Sequence, residues 1–150
     1  MKLEEDEARR RFSAARVARL ATVGEDGRPH VVPVTFAVVG NVIWSAVDEV
    51  KPKTTLRLRR LANVSAHPAV SFLADYYDDA DWSLLWWVRA DGTGRVVPSI
   101  DDAPEARQAL CARYRQYAAR PPTGPALAVH VERWVGWAGG QGLGPPKSAS

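Results

Sequence analysis

The chain is expected to fold as an α+β protein, a small barrel of about six antiparallel strands with two or three helices at its ends. Three observations carry that expectation. Short β-branched runs fill residues 17–47 before any long helical pattern begins, so successive strands pair as a meander and a doubly wound parallel fold is excluded. Helical spacing then appears in separate blocks instead of alternating strand by strand. Finally, 150 residues with 46% apolar content and 25% charge match one ordinary globular domain with one core.

The elements follow in order. Glu4 to Ala15 reads as a helix, with Ala8, Phe12 and Ala15 on one face and acids in the first turn, where they suit the helix dipole. Val17 to Val23 is a strand, Gly24 to Gly27 a hairpin turn ending Asp-Gly, and Pro29 to Val39 the second strand. The uncharged stretch His30 to Ala46 could pass for a membrane span on length, but Pro33, Gly40 and Asn41 divide it, and Gly-Asn is a hairpin signal. Val42 to Val47 is the third strand and Asp48 to Pro52 a loop. Thr54 or Thr55 caps a helix to about Ser65, with Leu58, Leu61 and Ala62 toward the core.

Ala69 to Tyr76 is a further strand, Asp78 to Asp81 an acidic loop, and Leu84 to Val97 a long strand or bulged pair containing Asp91-Gly92 and Gly94. Asp102 and Glu105 form a capping-box variant for a helix through Ala106, Leu110, Tyr114 and Tyr117 to about Ala119. Prolines in 120–125 end that helix, and Ala126 to Trp137 is the last strand. Residues 1–138 are read as the folded domain and 139–150 as a flexible tail, whose Gly, Pro, Ser and Ala offer no apolar surface to bury.

A single cysteine, Cys111, excludes an internal disulfide framework and a cysteine metal cluster. With an N-terminus rich in Glu and Arg and no apolar signal core, a cytoplasmic location without membrane attachment is expected. His30, His67 and His130 show no paired spacing, and the acids of 75–81 lack the glycine and terminal glutamate of a calcium loop, so no metal site is assigned. No G-x-S-x-G, G-x-G-x-x-G or Walker pattern is present.

The most informative segment is basic. Lys51, Lys53, Arg57, Arg59 and Arg60 occur without an acid among them, at a helix start whose free N–H groups and dipole attract anions. A phosphate suits that place, and a solvated basic face is the alternative. Nucleic acid is not the expected partner, because the whole chain carries only +3. Trp82, Trp86 and Trp87 read as core plus subunit interface, and on a strand Trp86 and Trp87 point to opposite faces.

The run Ala21-Thr22-Val23, the turn to Gly27, then Arg28-Pro29-His30-Val31-Val32-Pro33-Val34-Thr35-Phe36, together with Asn63 to Phe72, resembles the pyridoxamine-phosphate-oxidase-like family. That resemblance implies a six-stranded antiparallel split β-barrel of the FMN-binding kind with flanking helices. Val47 to Lys53 and Asp81 to Gly92 resemble its actinobacterial branch that uses the deazaflavin coenzyme F420. The branch implies a homodimer with the cofactor between protomers, its phosphate near Lys51, Lys53, Thr54 and Arg57, with Arg60 in support. Its ring would lie near Pro33, Val34, Thr35 and Val47.

The implied activity is hydride transfer from reduced F420 to an unsaturated or electron-poor small molecule. Such a transfer needs no side-chain nucleophile, and no catalytic residue is assigned; Tyr76, Tyr77, Arg89 and water stand as proton sources. Three alternatives remain: an FMN-dependent oxidase or reductase on the same barrel, a non-enzymatic carrier or sensor of a cofactor or haem-like ligand, and a nucleic-acid binder using the basic helix.

Overall fold

The computed structural model describes residues 1–47 and 55–140, with backbone alone for 55–58. The elements are α1 (Glu5–Ala14), β1 (Ala18–Val23), β2 (Pro29–Val34), β3 (Ala37–Val39), β4 (Val42–Ala46), α2 (Thr55–Ala66), β5 (Ala69–Tyr76), β6 (Trp86–Val97), α3 (Pro104–Arg113), α4 (Arg115–Ala119) and β7 (Ala126–Ala138). Short 3-10 turns occupy Trp82–Leu84 and Ile100–Asp102. The expected loop at Asp48 to Pro52 and the tail beyond Gly140 lie outside the described residues. Among the described residues no helix is long and apolar enough to cross a membrane.

All the strands join one antiparallel sheet in the order β2-β1-β5-β6-β7-β4-β3. Its two edge strands are consecutive in the chain, with Thr35 and Phe36 alone between them. A flat sheet of seven strands would separate its edges by about 29 Å. Three Cα steps from Val34 to Ala37 reach at most about 11 Å. The sheet therefore curls until its edges meet at this corner, and the pair β2 and β3, which share no ladder, leaves the barrel split along one side.

The predicted second strand, Pro29 to Val39, is thus two strands on opposite edges, and among the described residues the sheet has seven strands where about six were expected. Thr35 and Phe36 carry no turn residue, so the break is imposed by closure and pinned by tertiary bonds. The Ser45 hydroxyl donates to the Thr35 carbonyl at 2.9 Å. The Tyr114 hydroxyl accepts from the Phe36 N–H at 3.1 Å and lies 3.0 Å from the carbonyls of both Phe36 and Arg16, donating its one proton to either. Tyr114 itself is extended (φ −121°, ψ 126°), so the helix predicted to continue to Ala119 divides there into α3 and α4.

Inside the barrel, α1 inserts Phe12 among Phe36, Phe72 and Trp134, with ring centroids 4.7, 6.1 and 5.4 Å away. Leu20, Val34, Val88, Val129 and Val131 complete this core. The hairpin turn expected at Gly40-Asn41 is present, with Gly40 at φ +61°, in the region that favours glycine. The Asn41 side chain donates to the Val131 carbonyl at 2.6 Å and accepts from the Trp134 indole at 2.9 Å. This anchors β7 where Glu132 bulges out of register between Asp91 and Gly92. Gly92 permits the close crossing there, since a Cβ would lie 2.3 Å from the His130 carbonyl oxygen.

On the outer face, α3 and α4 cover β3, β4 and the start of β7, burying Trp44, Val97, Ile100, Leu110, Tyr117 and neighbouring alanines. The expected Asp102 capping box is absent. Asp102 belongs to the preceding 3-10 turn, and Pro104 at the start of α3 has no N–H to cap, so Ala103 is the residue before the helix. On α2, Leu61 packs against the core as expected, but Ala62 is exposed; Asn63 and Val64 face inward instead. Leu58's side chain lies outside the description.

The remaining outer face, across β2, β1, β5, β6 and the end of β7, has no covering helix among the described residues. Val31 and Leu73 are 61% and 38% exposed on it. At its centre Asp91 accepts from Arg89 Nε (2.9 Å), Ser71 Oγ (2.7 Å) and Arg133 Nη2 (2.8 Å). Partial burial works to raise the Asp91 pKa, but these three donors outweigh it and hold the carboxyl at about 2.

Two outcomes are expected. Asp91 contributes stability above the ordinary carboxylate range and loses it as pH falls through about 2. Denaturation midpoints of the native chain should therefore drop more steeply between about pH 4 and 2 than those of Asp91→Asn, and parallel curves would remove Asp91 from the acid transition. Tyr114→Phe deprives the corner of its shared hydroxyl and should cost about 1–3 kcal/mol in urea unfolding. Tyr76→Phe, at an exposed position, should change stability by less than about 0.5 kcal/mol.

Candidate functional site

The split runs beside β2, and the chemistry of that strand sets what it can bind. Pro33 has no N–H, so its pair with Arg19 is a non-bonded pair of the ladder. By alternation, residues 29, 31 and 33 turn their backbone polar groups to the free edge. That edge offers one donor, the Val31 N–H, and the carbonyls of Pro29, Val31 and Pro33, flanked by the exposed side chains of Val31 and Pro33. A narrow apolar strip with sparse polar groups suits the edge of a planar heterocycle.

The expected ring residues lie on β2, at the corner and just beyond the end of β4, which the Ser45–Thr35 bond ties to the corner. Pro33 is exposed on β2, while the Val34 side chain is buried in the barrel core. The Thr35 hydroxyl is 3.0 Å from the buried Tyr117 hydroxyl. Val47, two residues beyond Ser45, is buried at the same end of β4, its N–H donating to the Pro125 carbonyl at 3.1 Å. Pro33 thus presents its side chain, whereas Val34 and Thr35 offer mainly backbone because their side chains are engaged within the chain.

Of the expected phosphate residues, Lys51, Lys53 and Thr54 lie outside the described residues. Arg57 is on the backbone of α2, and Arg60 is half-buried one turn further along the same helix. This helix packs on β1 and β6, and its Asn63 amide donates to the buried Thr22 hydroxyl at 3.1 Å. Directly across the ladder from Thr22 stands His30, whose buried Nδ1 has no hydrogen-bond partner among the described residues.

His30 has no metal-ligand spacing, but β2 alternates, and that alternation turns His30 to the inner face, opposite Thr22. An orphaned ring nitrogen at such a place is a group that a ligand can satisfy. Asn63 was missed too, since its burial depends on Thr22, far away in sequence. Among the proton sources named, Tyr77 donates to Asp79 at 2.8 Å and Arg89 to Asp91, while Tyr76 is exposed at the end of β5. The acidic loop acts as turn caps: Asp81 accepts from the Ser83 N–H and hydroxyl at 3.0 and 2.6 Å.

Comparison with known proteins agrees with this architecture. A 5a,11a-dehydrotetracycline/5a,11a-dehydrooxytetracycline reductase of Streptomyces rimosus is 32% identical over 81 residues, covering 54% of this chain and 55% of the reductase. The chain thus matches about half the length of that relative. A conserved hypothetical protein of Mycobacterium tuberculosis superposes with a TM-score of 0.74 at 21% identity, over 99% of this chain and 92% of its own. An FAD-binding protein of Mesorhizobium loti superposes at 0.68 and 22% identity, over 91% and 93%. The same split barrel is therefore shared by all of these solved chains. The model of the pyridoxamine 5'-phosphate oxidase family matches residues 4–138, from the start of α1 to the end of β7, and the chain belongs to that family.

Proposed function

We propose that the chain is a homodimeric oxidoreductase that holds a flavin-type cofactor along the free edge of β2, with coenzyme F420 as the cofactor and an unsaturated organic molecule as hydride acceptor. The observation that carries this reading is the donor-poor, apolar β2 edge together with the inward-facing His30, whose Nδ1 has no partner among the described residues. Those residues fit a planar ring with a polar rim, and the cations of 51–60 suit the phosphate diester and glutamate tail of F420 better than a single phosphate. The Streptomyces rimosus relative supports the reaction class, because its name describes reduction of a dehydro compound.

When bound, reduced F420 supplies a hydride. The chain's part is to orient, to neutralise charge and to exclude water. Pro33 and the Val31 N–H fix one edge of the ring, and Lys51, Lys53, Thr54 and Arg57, with Arg60, hold the phosphate. The uncovered outer face, with Val31, Leu73, Val135 and Trp137 around the Asp91 network, is the surface on which a second copy packs and closes the cofactor groove. A flavin in place of F420 is the second reading, and the FAD-binding protein on the same fold favours it.

Protein purified from a host lacking F420 is to be titrated with F420 and with flavin mononucleotide by fluorescence. F420 binding that weakens about tenfold in Lys53→Ala, the loss of one charge-assisted contact, is the expected result. Binding of flavin alone would establish the second reading, and binding of neither would overturn both. In light scattering, the native chain should show twice the monomer mass. Leu73→Glu, which puts a charge on the uncovered face, should shift it toward monomer by at least about tenfold in dissociation constant. A monomeric native chain would refute the dimer.

A further inference from the structure

On the far side of the corner, the break between α3 and α4 opens a groove of about 530 Å³ lined by Arg16, Cys111, Arg113, Tyr114, Arg115 and Gln116. Three arginines, Arg16, Arg113 and Arg115, line it without an acidic residue beside them. Among the described residues none of the three forms an ion pair, whereas Arg10, Arg11, Arg19, Arg28, Arg89, Arg107 and Arg133 each have a carboxylate within reach.

Two of the three are also held in place. Arg16 lies over the Tyr114 ring, 4.8 Å from its centroid, and donates to the Arg113 carbonyl at 2.7 Å. Arg113 sits 5.1 Å from the Phe36 centroid and 5.5 Å from that of Tyr114, donating to the Ala15 carbonyl and, at 3.2 Å, to the Tyr114 hydroxyl. A guanidinium carries five N–H donors, so Arg16 keeps four and Arg113 three for another partner, and Arg115 keeps all of its own. Like charges held close in a concave site raise the local potential, and a multivalent anion relieves it.

We propose that this groove binds a small polyanion bearing at least two carboxylates or a phosphate, the groups whose oxygens match the guanidinium fork. Its lining shares no residue with the basic segment of 51–60, and the proposal does not depend on the cofactor reading. Cys111, the chain's one cysteine, lines the groove half-buried and serves as the reporter.

The test is the rate of Cys111 alkylation by neutral iodoacetamide, with added tri-glutamate peptide or inorganic phosphate. Native protein, Arg16→Gln, Arg115→Gln and, as a remote control, Arg28→Gln are compared, with circular dichroism confirming each fold. Saturable protection is expected, with the midpoint raised about tenfold in Arg115→Gln and unchanged in Arg28→Gln. Protection by tri-glutamate alone identifies a polycarboxylate ligand, and protection by phosphate identifies a phosphate-bearing one. Arg115 is exposed and makes no bond among the described residues, so its variant remains informative if Arg16→Gln does not fold. No protection by either probe up to about 10 mM, a concentration weaker than any useful affinity, overturns the proposal. Equal protection in Arg115→Gln overturns it as well.

Discussion

Two residues, Thr35 and Phe36, bridge the opposite edges of a seven-stranded sheet, and that tether governs the rest of the molecule. It forces the curl that turns one face of every strand inward, which in turn gives Phe12 of α1 a closed aromatic nest to fill. It also leaves β2 and β3 side by side without a ladder, so the barrel has a seam. Tyr114 fastens the tether by spending its hydroxyl on both backbone groups of Phe36. To reach them its backbone leaves the helical region, and the helix divides.

The outer surface is partitioned by the same construction. The α3 and α4 segments must stay near Tyr114, so they shield β3, β4 and the beginning of β7 with a second, smaller apolar cluster. They cannot also shield β1, β5 and β6. What remains there mixes the exposed aliphatics Val31 and Leu73 with a three-donor carboxylate at Asp91.

Local chemistry made much of this legible. Gly40-Asn41 and Asp26-Gly27 mark hairpins through backbone preference alone, and the spacing of Ala8 and Phe12 marks the buried side of α1, which Ala15 ends, so those features could be read without knowing the partners. The corner could not, because Thr35 and Phe36 favour strands as much as their neighbours do. The apolar spacing from Ala106 through Tyr117 runs unbroken past Tyr114, and Asn63 looks like an outward polar residue until Thr22 is placed against it. Of the residues expected at the ring, Val34 and Thr35 stand at the corner and Val47 is buried beyond Ser45. The sequence did not reveal that the side chains of Val34 and Thr35 are already committed internally, or that the buried Nδ1 of His30 has no partner among the described residues.

The prolines of β2 have an effect beyond the site. An exposed edge is normally a template on which a stray strand can dock, continuing the ladder chain after chain. Here the outward rung of β2 alternates between imino positions that cannot donate and the single amide of Val31. A newcomer could satisfy carbonyls from its own amides but would receive almost nothing in return, and its own carbonyls would be left dry. A barrel that keeps its seam open would otherwise risk growing into fibrils from that side. The two prolines thereby close the seam to another polypeptide edge while leaving it open along β2.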